Sequence, residues 1–322
     1  MLLFITALIS GLALLLWSAD RFVEGSVSLA KNLNVSPLMI GMVIIGFGTS
    51  APELVVSVLA SLNGSPGIAL GNAYGSNIAN IAVILGITAL ISPIVIHSSV
   101  LRRELPILLT VTALSIFLVV DLNLSRLDAI ILLILFILFI GGMIGEALKK
   151  DKDSLTEDYK TEPAEQVAPT RFAIQTLVFG LVLLIVSSRV VVWSAVEIAQ
   201  IFGISDMVIG LTIVAIGTSL PELASSVAAA RKNAHEIAVG NIIGSNLFNS
   251  LMVVGLSGLI GPTVVSQQTL MRDMTVMGLL TVLLFIFALR FKGKEGGINR
   301  SQGFFLLLIY ALYIACIIYG AI

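Results

Sequence analysis

The sequence predicts an all-α membrane protein of ten transmembrane helices, built as two inverted five-helix repeats with broken helices at the bilayer midplane. Three observations carry this prediction. The 322 residues are 57% hydrophobic and only 11% charged, with a mean hydropathy of +1.07, which describes a multi-span helical membrane protein rather than a soluble domain. The second half repeats the first at a fixed offset, so that Gly41 meets Gly210 and Glu53 meets Glu222 without a gap. Basic residues collect on one side of the spans, as they do in cytoplasmic loops.

A helix needs roughly 20 apolar residues to cross the hydrocarbon. Ten segments qualify: 2–30, 37–62, 71–93, 105–120, 127–148, 173–201, 207–231, 239–261, 273–290 and 303–322. The first is apolar from Leu2, with no basic leader or small-residue cleavage site, so it reads as a span rather than a removed signal peptide. Residues 149–171 are polar and charged, contain Pro163 and Pro169, and read as a cytoplasmic linker between a repeat at 1–148 and a repeat at 172–322. The linker acids, Asp151, Asp153, Glu157 and Asp158 among them, lack the EF-hand spacing and its central glycine.

Five spans per repeat is an odd number, so the second repeat enters the membrane from the opposite side. With the N-terminus outward, one face receives Lys31, Arg102, Arg103, the linker lysines, Arg171, Arg231, Lys232 and the basic residues of 290–300. The other receives only Arg126 and Arg272. That asymmetry makes the basic face cytoplasmic and both termini extracytoplasmic. Inverted repeats with paired broken helices describe a secondary transporter with its site near the midplane.

The repeat centres on two motifs, at 41–86 and 210–255. Gly46-Phe47-Gly48-Thr49-Ser50-Ala51-Pro52-Glu53 matches Ala215-Ile216-Gly217-Thr218-Ser219-Leu220-Pro221-Glu222. A proline has no N–H and crowds the carbonyl four residues back, so the helix should loosen at Gly48 and Gly217. Freed carbonyls are tolerated at that depth only where they line a cavity or meet a partner. A carboxylate there costs at least a few kcal/mol, which marks it as functional. Carboxylate, hydroxyl and carbonyl oxygens together suit Na⁺ or Ca²⁺ rather than a soft metal.

Residues four apart share a helical face. Thr49 and Glu53 therefore point the same way, with Ser50 beside them; Thr218, Ser219 and Glu222 repeat the pattern. In the next span Ser76 and Asn80 share a face, as do Ser245 and Asn249. The expected site unites Glu53 and Glu222 with these hydroxyls and amides and with loosened carbonyls near Gly46 and Ala215. Two carboxylates balance one Ca²⁺ and partly balance several Na⁺, so the two loads compete for shared oxygens. Individually, each Ser or Thr also fits helix packing, and Gly71, Gly75, Gly240 and Gly244 read as close-packing positions. Asn77 and Asn246 point off the Ser76–Asn80 face. Asp20, Arg21, Glu24, Arg189 and Glu197 read as interfacial or gating-helix charges, and His97 and His235 as interfacial side chains flanking spans.

At these residues the chain resembles the cation/calcium antiporter superfamily, which includes the sodium/calcium exchangers. The paired G-T-S-x-P-E and G-N-x-x-G-S-N-x-x-N stretches look like its two repeats, and the resemblance covers essentially the whole chain. The runs from His97 to Pro106 and Asp153-Ser154-Leu155-Thr156 resemble the bacterial YrbG-type calcium/sodium antiporters. The resemblance implies mobile spans 1 and 6 around an eight-helix core in a bacterial inner membrane. It also implies several Na⁺ moving inward as one Ca²⁺ moves out. It implies ligation by Thr49, Ser50, Glu53, Ser76, Asn80, Thr218, Ser219, Glu222 and Ser245, with carbonyls of Gly46 and Ala215. Several exchangers carry an aspartate where this chain has Asn249, so the expected site holds two acids rather than three.

The predicted function is therefore Na⁺/Ca²⁺ antiport in the lipid bilayer, with the ions as substrates and no cofactor or obligate protein partner. A Ca²⁺/H⁺ or potassium-dependent exchanger is the nearest alternative, and a calcium channel is a second. An intramembrane hydrolase lacks a histidine partner or nucleophile–base pair, so the chain does not read as an enzyme. A net charge of −1 gives no nucleic-acid footprint, and the single cysteine, Cys316, excludes disulfide frameworks and cysteine zinc sites within one chain.

Overall fold

The structure, a computed structural model, describes residues 1–33, 35–148, 169–202, 217–289 and 296–321. The predicted linker lies almost wholly outside these residues, as do Ala215 and the first part of the span expected at 207–231. The described chain is helical, with four short strands. Its helices are α1 (Leu2–Leu33), α2 (Pro37–Thr49), α3 (Ala51–Leu62), α4 (Pro66–Ile91), α5 (Ser98–Arg102) and α6 (Glu104–Leu118). They continue with α7 (Arg126–Leu148), α8 (Thr170–Ile201), α9 (Leu220–Arg231), α10 (His235–Ile260), α11 (Thr269–Ala288) and α12 (Arg300–Ala321).

Seven of these helices are long and apolar enough to cross a bilayer, and the bent pair α2–α3, inclined by 44°, makes an eighth. The sequence predicted ten. The difference has two sources: α6 is a helix of only 15 residues, and the span ending in α9 begins outside the described residues.

Burial divides the helices into core and periphery. The most apolar stretches of α4 and α10 are 78% and 94% buried, against 17% for α7 and 11% for α12. A helix that is apolar all round but buried on only one face is solvated by lipid. Large exposed side chains such as Ile137, Leu138, Phe304 and Leu312 therefore mark the hydrocarbon-facing rim.

The long helices α1 and α8 pack against each other antiparallel: Gly25 sits against Leu177, Phe22 against Gly180, and Gly11 against Val191. Glycines let the two backbones approach closely, which is how apolar helices associate without a hydrophobic drive. By contrast, α2 and α10 run parallel, with Gly41 near Ile237 and Gly240, and Gly46 near Ser245. Gly240 and Gly244 close-pack on Leu38 and Met42, as expected, whereas Gly71 and Gly75 do not close-pack, since a Cβ at either would meet open space.

The repeat seen in sequence reappears in the backbone. Helix α3 recurs residue for residue as α9, and α4 as α10. Even the π-helical turn Asn80–Ile84 within α4 recurs as Asn249–Val253 within α10. Strand β1 (Ile94–Ile96) pairs antiparallel with β4 (Gly296–Ile298), and β2 (Asn123–Leu124) with β3 (Thr263–Val264). Each pair joins a strand of the first half to one of the second. The β1–β4 end also gathers His97, which lies 3.9 Å from Glu236, and Arg300, whose Nε donates to the Leu90 carbonyl at 3.1 Å. The basic loops flanking 94–104, 231–235 and 296–300 thus share one face. Lys232 donates to the Asp20 carbonyl at 2.9 Å, Arg21 pairs with Glu24 at 2.9 Å, and Arg189 is exposed on α8.

Candidate functional site

Local chemistry places the site. Helix α2 widens through a π run at Gly41–Gly46 and ends at Ser50, whose backbone (φ −83°, ψ 6°) leaves the helical range. Pro52 follows at the start of α3, where its missing N–H is tolerated. Ser219 has the same geometry (φ −91°, ψ 10°) ahead of Pro221 in α9. Each new helix carries its glutamate in the first turn, Glu53 in α3 and Glu222 in α9, where the N–H dipoles favour a carboxylate. The C-terminal carbonyls of α2, the negative end of that half-helix, meet the same place and favour a cation.

The two glutamates are each 1% exposed, and their hydrogen bonds are crossed between the halves. Ser50 Oγ donates to Glu222 Oε1 at 2.9 Å, and Ser219 Oγ donates to Glu53 Oε1 at 3.4 Å. Thr218 also lies beside the Glu53 carboxylate and Thr49 beside that of Glu222, while the Thr49 hydroxyl itself donates to the Ile45 carbonyl at 3.0 Å. On a continuous helix Thr49 and Ser50 would share a face with Glu53. The break at Ser50 removes that alignment, and the hydroxyls of each turn serve the carboxylate of the other repeat instead.

Helices α4 and α10 complete the enclosure with polar stripes at four-residue spacing: Asn72, Ser76 and Asn80, and Asn241, Ser245 and Asn249. Ser245 Oγ donates to the Gly46 carbonyl at 3.1 Å, across the repeats. A Cβ on Gly46 would sit 2.9 Å from the Ser245 backbone N and 3.0 Å from the Asn241 carbonyl, so this approach requires glycine. Asn80 Nδ2 donates to Asn246 Oδ1 at 2.9 Å, and Asn77 Nδ2 to Ser250 Oγ at 2.8 Å. Asn77 and Asn246 thus tie α4 to α10, a role their off-face position had hidden. Ser76 is buried, but its expected counterpart, the Ala215 carbonyl, lies outside the described residues.

Asn72 and Asn241, the first asparagines of the two G-N-x-x-G-S-N-x-x-N stretches, are not among the site residues expected from the sequence. Asn72 Nδ2 donates to the Glu53 carbonyl at 3.1 Å and to Ser57 Oγ at 2.9 Å. Asn241 Nδ2 donates to the Glu222 carbonyl at 3.1 Å and to Ser226 Oγ at 2.7 Å. The usable signal was their position four residues before Ser76 and Ser245 on the same face.

Several buried oxygens here accept no hydrogen bond: Glu53 Oε2, Glu222 Oε2, Asn80 Oδ1 and Asn249 Oδ1. Buried polar atoms are otherwise almost always satisfied, so these oxygens are candidates for contact with a ligand. Among the described residues the buried polar set contains two carboxylates and no lysine or arginine. Two uncompensated buried charges are costly unless cations meet them. Among the described residues no three His, Cys, Asp or Glu side chains cluster for a metal. The donor set is thus hydroxyl, amide, carbonyl and carboxylate oxygen, suited to hard cations and not to zinc-like centres.

Comparison with known proteins agrees with this chemistry. A family model described as sodium/calcium exchanger protein matches residues 3–145 and 172–319. The chain is 41% identical to the inner membrane protein YrbG of Escherichia coli, over 99% of both chains. It is 33% identical to the sodium/calcium exchanger MaX1 of Methanosarcina acetivorans, over 97% of both. Among solved structures, that of the sodium-calcium exchanger NCX_Mj superposes with a TM-score of 0.83 at 33% identity, covering 98% of each chain.

Proposed function

The chain belongs to the sodium/calcium exchanger protein family, and from that premise we propose that it exchanges Na⁺ for Ca²⁺ across the inner membrane by alternating access. It is an integral membrane antiporter, similar to YrbG and to sodium/calcium exchangers. In the proposed mechanism Glu53 and Glu222 hold the ions, with oxygens from Thr49, Ser50, Ser76, Asn80, Thr218, Ser219, Ser245 and Asn249 and the Gly46 and Ala215 carbonyls. The observation that carries the reading is the reciprocal bonding of two buried carboxylates by the opposite repeat's hydroxyls, with one oxygen of each left for a cation.

The full architecture we propose is ten spans in two inverted five-span repeats, 1–148 and 172–322, joined by a cytoplasmic linker. Two contacts support inversion. Helices α1 and α8, which hold the same place in their repeats, run antiparallel, and each strand pair joins opposite halves. Clustering of the basic loops at the β1–β4 end supports that end as cytoplasmic and the chain termini as extracytoplasmic. Exchange follows because the unloaded site carries two like charges that cannot cross the apolar barrier, whereas one Ca²⁺ or a set of Na⁺ neutralises them. The ions are substrates, and no step needs a cofactor or a second protein.

A proton-coupled reading has one observation in its favour: two buried acids without a basic partner can also carry protons. Sealed proteoliposomes separate the two. Calcium uptake driven by an outward Na⁺ gradient, and lost in both Glu53→Gln and Glu222→Gln, is expected. Uptake driven by a proton gradient with no sodium effect would move the chain to Ca²⁺/H⁺ exchange. Retained sodium-driven uptake in both variants would remove the glutamates from the ion path.

A further inference from the structure

Each polar stripe on α4 and α10 has three members, and the first does something different from the other two. Ser76, Asn80, Ser245 and Asn249 are buried, with Ser245 Oγ donating to the Gly46 carbonyl and Asn80 Nδ2 to Asn246 Oδ1. Asn72 and Asn241 instead turn their amides to the backbone of the helix that carries the glutamate. Asn72 Nδ2 reaches the Glu53 carbonyl at 3.1 Å and Ser57 Oγ at 2.9 Å. Asn241 Nδ2 reaches the Glu222 carbonyl at 3.1 Å, Ser225 Oγ at 3.1 Å and Ser226 Oγ at 2.7 Å.

We infer that Asn72 and Asn241 are positioning residues: each side-chain amide fixes the rotation of a glutamate helix against the helix that carries the remaining ion oxygens. The inference rests on the exchanger reading above and deepens it. Three features support it. The same bond to the same carbonyl recurs in both repeats. That carbonyl belongs to the glutamate itself, so a turn of α3 or α9 about its axis must stretch it. The amide also supplies two N–H donors, which neither aspartate nor leucine can offer in that form.

Asn241 has a second duty. Its Oδ1 accepts from Thr49 Oγ1 at 3.3 Å, across the repeats. One side chain thereby links the Glu222 backbone to the hydroxyl turn of the first repeat. A tilt of either half would be felt by the other through this bridge. Groups that orient ligands in this way typically change ion affinity by about 10- to 100-fold when lost.

The test compares Ca²⁺-dependent thermal stabilisation of the purified full chain in Asn241→Leu, Asn72→Leu, Ser226→Ala and Glu222→Gln. Ser226→Ala removes one acceptor of the Asn241 amide but leaves its bond to the glutamate carbonyl. Asn241→Leu is expected to raise the half-maximal Ca²⁺ concentration about 10-fold or more, and Ser226→Ala less than about 2-fold. If Asn241→Leu yields no folded protein, Asn72→Leu at the half-buried twin position decides the same question. Wild-type calcium affinity in the folded leucine variant, or equal weakening by Ser226→Ala, overturns the inference in favour of plain helix packing. Glu222→Gln separates the two levels. If it binds Ca²⁺ as wild type does, the exchanger site itself is misplaced; if it loses binding while the leucine variants keep it, only the positioning role fails.

Discussion

Replacing Glu222 by glutamine changes one charge and almost no volume. The glutamine keeps an oxygen for the Ser50 hydroxyl, which donates at 2.9 Å to Glu222 Oε1. What disappears is one of two negative charges facing the cation. A unit pair at 4 Å is worth about 4 kcal/mol at an effective dielectric of 20, and a divalent ion doubles the gross term. Much of this is offset by the desolvation that the charged site would otherwise require. A net loss of about 3 kcal/mol corresponds to roughly 100-fold weaker Ca²⁺ binding. At a Ca²⁺ concentration near 100 times the wild-type Kd, ligand stabilisation is about 2.7 kcal/mol, and it falls to about 0.4 kcal/mol in the variant. Without Ca²⁺ the variant no longer buries two like charges, so its melting temperature should equal or exceed that of wild type. Thermal unfolding in detergent, with and without Ca²⁺, measures both quantities. A wild-type Ca²⁺ shift in Glu222→Gln would refute the charge argument, and a collapse of the calcium-free protein would make Glu222 a structural residue.

Other perturbations probe the neighbouring links. Ser50→Ala should cost about 1 kcal/mol of binding or stability, and a double-mutant cycle should couple it more strongly to Glu222→Ala, which removes the acceptor, than to Glu53→Ala. Coupling to Glu53 instead would deny the crossed arrangement. Gly46→Ala puts a Cβ 2.9 Å from the Ser245 N and should destabilise by about 1–3 kcal/mol, read as a lowered melting temperature; an unchanged value would mean that α2 and α10 pack loosely. In flux assays Gly46→Ala should also slow exchange more than the equivalent change at Gly141, an exposed position on α7.

Much of this was legible in the sequence because the repeat is unusually strict. Pro52 and Pro221 announced the breaks but not their place: Gly48 stays helical, and the backbone departs from helix at Ser50 and Ser219, two residues before each proline rather than four. The glutamates, hydroxyls and Asn80 and Asn249 stand out as candidates because bilayer depth makes any polar group there conspicuous. The crossed hydroxyl–carboxylate bonds were not legible. Periodicity speaks only of one helix at a time, and the crossing depends on how two broken helices meet. Asn72 and Asn241 were overlooked for a related reason: their chemistry is directed at backbone, which no side-chain motif reveals. The segment read from hydropathy at 105–120 coincides closely with α6, whose 15 residues leave it shorter than the other spanning helices.

The central claim is that ions sit between two glutamates bonded by opposite repeats. Anomalous diffraction from crystals soaked with Sr²⁺, a heavier relative of Ca²⁺, tests it most directly. The account predicts a peak bound by carboxylate oxygens of both Glu53 and Glu222, at roughly 2.3–2.6 Å or slightly longer for the larger ion, and no such peak in Glu222→Gln. A peak bound elsewhere, with these carboxylates still paired only to Ser50 and Ser219, would contradict it.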